Sequence, residues 1–322
     1  MELITYTLSI YQEKQLHYGE DSFMCHTCTP NAAIIACMDG CGGSGGCRYP
    51  AFENWSGARI ASRLVGQSVS DWFIKKTTGK EPMYQCAIEA LAEEMADAIK
   101  RRLQFAKEQL PENDSVVMSK LARVLPSTLA AITVEAVDKN LCRIGSFWAG
   151  DSRTYYFPVS GLQQTSRDNI RGEADPFESL MRDGIMNNVI CADNDFHICT
   201  TETWAEEPCL VISATDGCFS YFPSPIYFEW LLLETLEHAE SPLDWEDKIR
   251  NVIGSVAGDD YTMQIAVVGF SNFKALQTAY ASRYEVFQNK YANPLLKILE
   301  EGNQEAHYKL WLEYKQSYML EN

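Results

Sequence analysis

The chain has 322 residues, of which 46% are hydrophobic and 22% charged. That balance suits a protein with a packed core and excludes a disordered chain, a coiled coil and a collagen-like repeat. With 27 basic and 44 acidic side chains the formal charge is −17, which argues against a nucleic-acid or membrane-surface role because such a surface repels phosphates and anionic lipid.

No apolar run approaches the about 20 residues that a bilayer-spanning helix needs. The segment Met1–Ile10 lacks a basic start and a small-residue cleavage site, so it does not read as a secretory signal. Eleven cysteines, an odd number at scattered spacings, cannot all pair within the chain. Together these features predict a cytoplasmic protein with free thiols.

Strand signals open the chain at Glu2–Tyr11 and return at Ala32–Met38, an unbroken apolar run. A glycine-rich loop, Gly40–Gly46, follows. Ile60, Leu64, Val65, Val69 and Trp72 recur at helical spacing and predict a helix over Trp55–Ile74, capped by Asn54 or Ser56. A second helix is expected over Met83–Lys107, with Ile88, Leu91, Met95, Ile99 and Leu103 on one face, and Leu110–Ser115 reads as a break. Leu129–Val137 and Leu141–Ala149, joined by Asp138-Lys139-Asn140, read as a hairpin. Thr154–Val159 is a further strand, Ser160–Asp195 a polar stretch with one short helical piece, and Phe196–Thr201 and Cys209–Ala214 are strands. Helices at Pro225–His238 and Pro242–Val256, a strand at Met263–Phe270 and a helix-rich tail over Ala275–Leu320 complete the order. This order predicts an α+β protein with antiparallel sheets flanked by helices.

Acidic residues stand where these strands end: Asp39, Asp151, Asp216 and the pair Asp259-Asp260, with Glu20-Asp21 nearer the N-terminus. Carboxylates at strand ends can converge on one sheet edge, where they repel one another unless a hard cation neutralises them. An all-oxygen set suits Mg²⁺ or Mn²⁺. Taken singly, each such Asp reads first as a turn residue.

The ordered set is more specific than its members. It reads Gly19-Glu20-Asp21-Ser22, Met38-Asp39-Gly40-Cys41-Gly42-Gly43, Pro126-Ser127-Thr128, Ala149-Gly150-Asp151-Ser152-Arg153, Ala214-Thr215-Asp216-Gly217 and Gly258-Asp259-Asp260-Tyr261-Thr262. This series resembles the metal-dependent Ser/Thr protein phosphatases, the PPM or type 2C family, in a bacterial-type branch. The resemblance spans about residues 1–270 and implies a β-sandwich of two antiparallel sheets flanked by helices, in α-β-β-α layers. It further implies a phosphatase domain over residues 1–271 and a helical C-terminal extension over 272–322.

The resemblance also implies two Mn²⁺ or Mg²⁺ ions, with a third at a weaker site. Asp39 would bridge two ions and the Gly40 carbonyl would bind one. Asp216 and Asp259 would hold the other, Asp21 would bind directly or through water with Glu20 beside it, and Asp151 would share the third site with Asp216. A hydroxide bridging the metals would attack phosphoserine or phosphothreonine in a protein substrate. A catalytically weak relative that only binds phosphoproteins is the alternative. Two positions depart from the family pattern. Cys41 stands where many members carry His, which leaves His17 as the candidate proton donor. Leu16 stands where the family often places a phosphate-gripping Arg, with Lys14 nearby. Arg167 and Arg171, in the stretch matching the family's flap, are candidates for contacting the phosphoprotein, and Arg153 is expected to orient its loop.

Two other motifs carry less. Gly40 to Gly45 matches a dinucleotide fingerprint, but Asp39 would face the pyrophosphate and Pro50 intervenes before the next helix. Cys25-His26-Thr27-Cys28 offers one C-x-x-C with no second pair for zinc.

Overall fold

The computed structural model describes residues 3–79, 81–110, 122–172, 175–181 and 184–319. Glu2, Leu320 and the part of the expected break from Pro111 onward lie outside the described residues. In chain order, strand β1 (Ile4–Gln12) is followed by the antiparallel pair β2 (Ser22–Thr29) and β3 (Ala32–Met38). A short helix α1 (Gly42–Gly45) and a two-stranded ribbon of β4 (Arg48–Tyr49) and β5 (Trp55–Ser56) lead into α2 (Gly57–Thr77) and α3 (Ile88–Glu108). Strands β6 (Leu129–Ala136), β7 (Cys142–Ala149), β8 (Arg153–Phe157) and β9 (Gln163–Gln164) come next, then helix α4 (Pro176–Met181). Strands β10 (Cys199–Ala205) and β11 (Cys209–Ala214), helices α5 (Pro225–Glu237) and α6 (Pro242–Gly254), and strand β12 (Tyr261–Val268) follow. Three helices close the chain: α7 (Phe273–Phe287), α8 (Asn293–Glu301) and α9 (Gln304–Tyr318).

The strands form two five-stranded antiparallel sheets, ordered β1-β12-β11-β8-β9 and β10-β7-β6-β3-β2. Side-chain alternation explains how they stack. In β3, Ile34, Ala36 and Met38 pack with α2 and α3, while Ala33 and Ile35 meet Val211, Ala266 and Val268 of the other sheet. In β12, Met263, Ile265 and Val267 face the outer helical layer instead. Strands covered on both faces read as continuous apolar runs, which is why Ala32–Met38 was legible. The sheets are also stitched together where Ser213 Oγ donates to the Ala130 carbonyl at 2.8 Å. The architecture is therefore the α-β-β-α sandwich.

Three readings shift. Ser22–Thr29, which contains the Cys25-His26-Thr27-Cys28 motif and for which the sequence pattern predicts no element, is an edge strand, and the strand expected at Phe196–Thr201 lies at Cys199–Ala205, on the opposite edge of the same sheet. Edge strands are half solvated and show no apolar run, so sequence pattern marks them weakly. The helix expected from Trp55 starts at Gly57, because Trp55 and Ser56 pair in the ribbon, and Ser56 Oγ caps it by accepting the Arg59 N–H at 3.1 Å.

The last helices pack on α5. Glu229 of α5 is fully buried, yet it accepts from Arg283 Nε of α7 at 2.8 Å and from the Tyr314 hydroxyl of α9 at 2.5 Å. Trp311, Tyr314 and Tyr318 join the same apolar cluster as Ile212 and Val267 of the sheet. All eleven cysteines are free thiols. Among the described residues no helix is long and apolar enough to cross a membrane.

Candidate metal centre

Strand register brings the acidic residues to one edge of the sandwich. Ser22 opposes Met38 in one sheet, so Asp21 and Asp39 leave neighbouring strand ends. Ala214 opposes both Met263 and Arg153 in the other, so Asp216, Asp151 and the Asp259-Asp260 pair leave adjacent ends. Each chain turn at this edge is pinned by backbone contacts. Thr128 N–H donates to the Asp39 carbonyl at 2.8 Å, Asp39 N–H donates to Thr128 Oγ1 at 3.0 Å, and Ser127 Oγ donates to the same carbonyl at 3.0 Å. Pro126-Ser127-Thr128 thus fixes the backbone of Asp39. Gly40 is packed so tightly that a Cβ there would lie 2.4 Å from the Ala58 carbonyl oxygen. Gly150, at φ 94°, turns the chain into Asp151, a conformation other residues rarely adopt.

The electrostatics follow from burial and like charge. Asp21 is 2% exposed, and burial, with Asp216 and Asp260 nearby, raises its carboxyl to about 7. Asp151 is pushed to about 8 by burial and by Asp216. Asp216 rises to about 6 through burial and the charge of Asp259. Asp39 is driven well above the usual carboxylate range by burial and by Asp21, Asp216 and Asp151. Glu20 is raised chiefly by burial. Burial leads in every case, and Asp21, Asp39, Asp151 and Asp216 are close enough to other carboxylates for their titrations to interact.

The donor set fits a hard divalent cation on two counts. It is all oxygen, and Asp151 Oδ1 is buried without a hydrogen-bond partner. Among the described residues, no three His, Cys, Asp or Glu side chains form a group that could hold a metal ion.

Asp151 and Asp216 share the wall of a cavity of about 220 Å³ with Arg153, Asp168, Ser179, Leu180 and Tyr221. Arg153 is not free to hold substrate. Its Nε and Nη2 donate to Asp168 at 2.9 and 2.7 Å, and its guanidinium lies 4.2 Å from the centre of the Phe219 ring. Removing one partner of a buried pair leaves the other charge uncompensated, so Asp168→Ala is expected to destabilise the fold by about 3–5 kcal/mol. A urea-unfolding midpoint unchanged from the parent would contradict this.

The other expected site residues are less gathered. His17 is exposed, in a turn with φ 70°; its N–H is bonded to Glu13 and its carbonyl to Arg59, so the backbone is fixed rather than the ring. Lys14 reaches the site through its backbone N–H, which donates to Asp260 Oδ1 at 2.7 Å, while its side chain is exposed. Arg167 is exposed and anchored by its carbonyl, which accepts from Trp148 Nε1 at 2.7 Å; neither it nor Arg171 lines the cavity. Cys41 is buried, and burial together with the Asp39 charge pushes its thiol well above the usual value. It stays a thiol at neutral pH and is a poor proton donor or nucleophile.

Sequence reasoning missed several supports. Asp260 Oδ2 accepts the Glu20 N–H at 2.7 Å and so ties the Glu20-Asp21 turn to the opposite sheet. Thr215 Oγ1 donates to Asp21 Oδ2 at 2.8 Å, and Ser56 Oγ is bonded to Glu20. A cationic group also flanks Glu20. Arg59 and Arg63 stack on Trp55 at 4.5 and 5.4 Å, and Arg48 lies 5.2 Å from the Tyr18 ring centre. The four-residue spacing of Arg59 and Arg63 along α2 could have pointed to part of the last group; nothing local marks the first.

No protein-family model matches the sequence, and no curated protein matches it either. Solved structures do match. A serine/threonine phosphatase from Staphylococcus aureus aligns with a TM-score of 0.58 at 15% identity, over 84% of this chain and 98% of that one. The catalytic domain of the serine/threonine protein phosphatase PstP, solved with two manganese ions, aligns at 0.53 and 17% identity, over 83% of this chain and 99% of that one. A Caenorhabditis elegans (C. elegans) sex determining protein aligns at 0.61 and 15% identity, over 87% of this chain and 68% of that one. At these identities the likeness is one of architecture: the chain has the fold of the bacterial serine/threonine phosphatases.

Proposed function

We propose that this protein is a divalent-metal-dependent phosphatase that hydrolyses phosphoserine and phosphothreonine in proteins. One observation carries the reading. Asp21, Asp39, Asp151 and Asp216 come from both sheets to one edge, where burial first, and then the charge of neighbouring carboxylates, holds their carboxyls above the ordinary range. A fold keeps such a destabilising set where a cation relieves it and the chemistry needs the cation. The solved PstP domain, of the same fold, contains two manganese ions.

In this reading Asp39 and the Gly40 carbonyl, Glu20 with Asp21, and Asp216 with Asp259 would hold two Mn²⁺ or Mg²⁺ ions, and Asp151 with Asp216 would hold a third. Bound there, the ions would supply the charge that acidifies a water and neutralises phosphoryl oxygens. The chain's own residues do the rest. Thr128, Ser127 and Asp260 keep the carboxylates at fixed strand ends, so little reorganisation is needed during reaction. Protonation of the leaving oxygen is assigned to His17, exposed on the turn that carries Glu20 and Asp21. Lys14, Arg167 and the Arg48–Arg59–Arg63 group are assigned to the phosphoprotein. The free thiols support a reducing, cytoplasmic setting.

The test is phosphate release from a phosphothreonine peptide by chelator-stripped protein. Added Mn²⁺ is expected to restore turnover, at about 1 s⁻¹ or faster. Metal binding seen by calorimetry without any turnover would overturn the reading in favour of a phosphoprotein-binding role.

A further inference from the structure

One wall of the cavity bearing Asp151 and Asp216 is built by a short helix. Ser179 and Leu180, which line it, belong to α4, a helix of under two turns inside the long polar connection between β9 and β10. Too short to be stable alone, α4 must be held by its neighbours. What holds it is α9, about 130 residues further along. Trp311 Nε1 donates to Asp175 Oδ1 at 3.1 Å, and Lys315 Nζ donates to Asp175 Oδ2 at 2.6 Å. Asp175 in turn caps α4, its Oδ1 accepting the Phe177 N–H at 2.9 Å. Phe177 stacks on the Trp311 ring, with centroids 6.1 Å apart and planes at 18°, and meets the His307 ring edge-on at 4.8 Å. One carboxylate thus joins the cap of the wall helix to the last helix of the chain.

We propose that α9 is a clamp that sets the position of the cavity wall and so determines which phosphoproteins fit. Asp175, Trp311 and Lys315 are positioning residues: they act through α4 and do not touch the reacting phosphate. The proposal deepens the phosphatase reading and rests on it for its substrate. A small aryl phosphate engages the carboxylate edge alone, whereas a phosphopeptide must also lie against Ser179 and Leu180. The clamp therefore bears on peptide binding and not on the hydrolytic step.

The variants are Lys315→Ala and Trp311→Phe, with Lys315→Arg as the conservative control. With the clamp released, KM for a phosphothreonine peptide is expected to rise about tenfold at unchanged kcat, the signature of lost binding that is uniform along the reaction. Turnover of p-nitrophenyl phosphate should stay at the parental level, and Lys315→Arg should restore the peptide KM. Amide hydrogen exchange in α4 should accelerate in Lys315→Ala while the sheets keep their protection. Equal changes for both substrates, or slow exchange in α4 after release, would overturn the clamp. Failure of the parent protein to hydrolyse p-nitrophenyl phosphate with Mn²⁺ would sink the phosphatase reading instead, and the exchange rates would then decide the clamp by themselves.

Discussion

Replacing Asp39 by Asn is expected to lower Mn²⁺-dependent phosphate release by about a thousandfold while making the metal-free protein more stable. The two effects have one origin. Asp39 sits among Asp21, Asp151 and Asp216, and burial with their charge holds its carboxyl protonated well above the usual range. The unfolded chain ionises the same group near pH 4. Wherever the metal-free fold keeps that proton and the unfolded chain has lost it, folding must take a proton up, which costs stability. Asn has the shape of the protonated acid and avoids that cost. It also removes a negative oxygen that would help hold the cations, and losing several kcal/mol of charge stabilisation amounts to about three orders of magnitude in rate. Steady-state phosphate release and thermal melts in chelator would measure both. A variant that keeps activity would remove Asp39 from the site; one that loses activity and melts below the parent would show that the residue matters for folding instead.

The second large effect is a pH dependence that metal reverses. The carboxyls of Asp216, Asp21 and Asp151 lie at about 6, 7 and 8 in the fold, against about 4 in the unfolded chain. Between those limits the native state binds more protons than the unfolded state, so stability falls as pH rises. Each excess proton contributes a slope of about 1.4 kcal/mol per pH unit. Buried Glu229, also raised, acts in the same direction. Asp175, where burial is outweighed by the Lys315 bond, acts oppositely but only at acid pH. His307, kept neutral by burial, opposes the trend just below its ordinary pKa. The carboxylates outnumber it, so urea midpoints in chelator should decline from pH 5.5, most steeply at first, and level off near pH 8. Saturating Mn²⁺ should remove the decline, adding about 2.7 kcal/mol per site at a hundredfold excess over Kd. Greatest metal-free stability at pH 8.5 would contradict the whole electrostatic account of the edge.

What could be read in advance follows from how far apart the causes lie in the chain. Ala32–Met38 and Cys209–Ala214 are covered on both faces, so burial alone writes them as apolar runs. Ser22–Thr29 owes its strand to pairing with β3, and its own residues are mixed. The same division holds at the acidic edge. Asp39, Asp151 and Asp216 each follow an apolar strand, and their type and place are local facts. Their supports are not. Asp260 grips the Glu20 backbone across 240 positions, and Trp311 reaches Asp175 across 136. No spacing rule links residues so distant, and only the packed topology brings them together. Arg153 is the intermediate case, since its partner Asp168 is 15 residues away, in a loop that pattern cannot place.

The pairing of β1 with β12 sets Ile4 opposite Val268, and β12 lies between β1 and β11. The other sheet is complete within residues 22–205. On a ribosome, therefore, one sheet can form while the first strand of the other waits for a partner not yet translated. Asp216 and Asp259 arrive in that same late stretch. The nascent chain thus carries Asp21, Asp39 and Asp151 without their opposite numbers, and the full repulsion of the edge is met only when the rest of the protein is present to bear it.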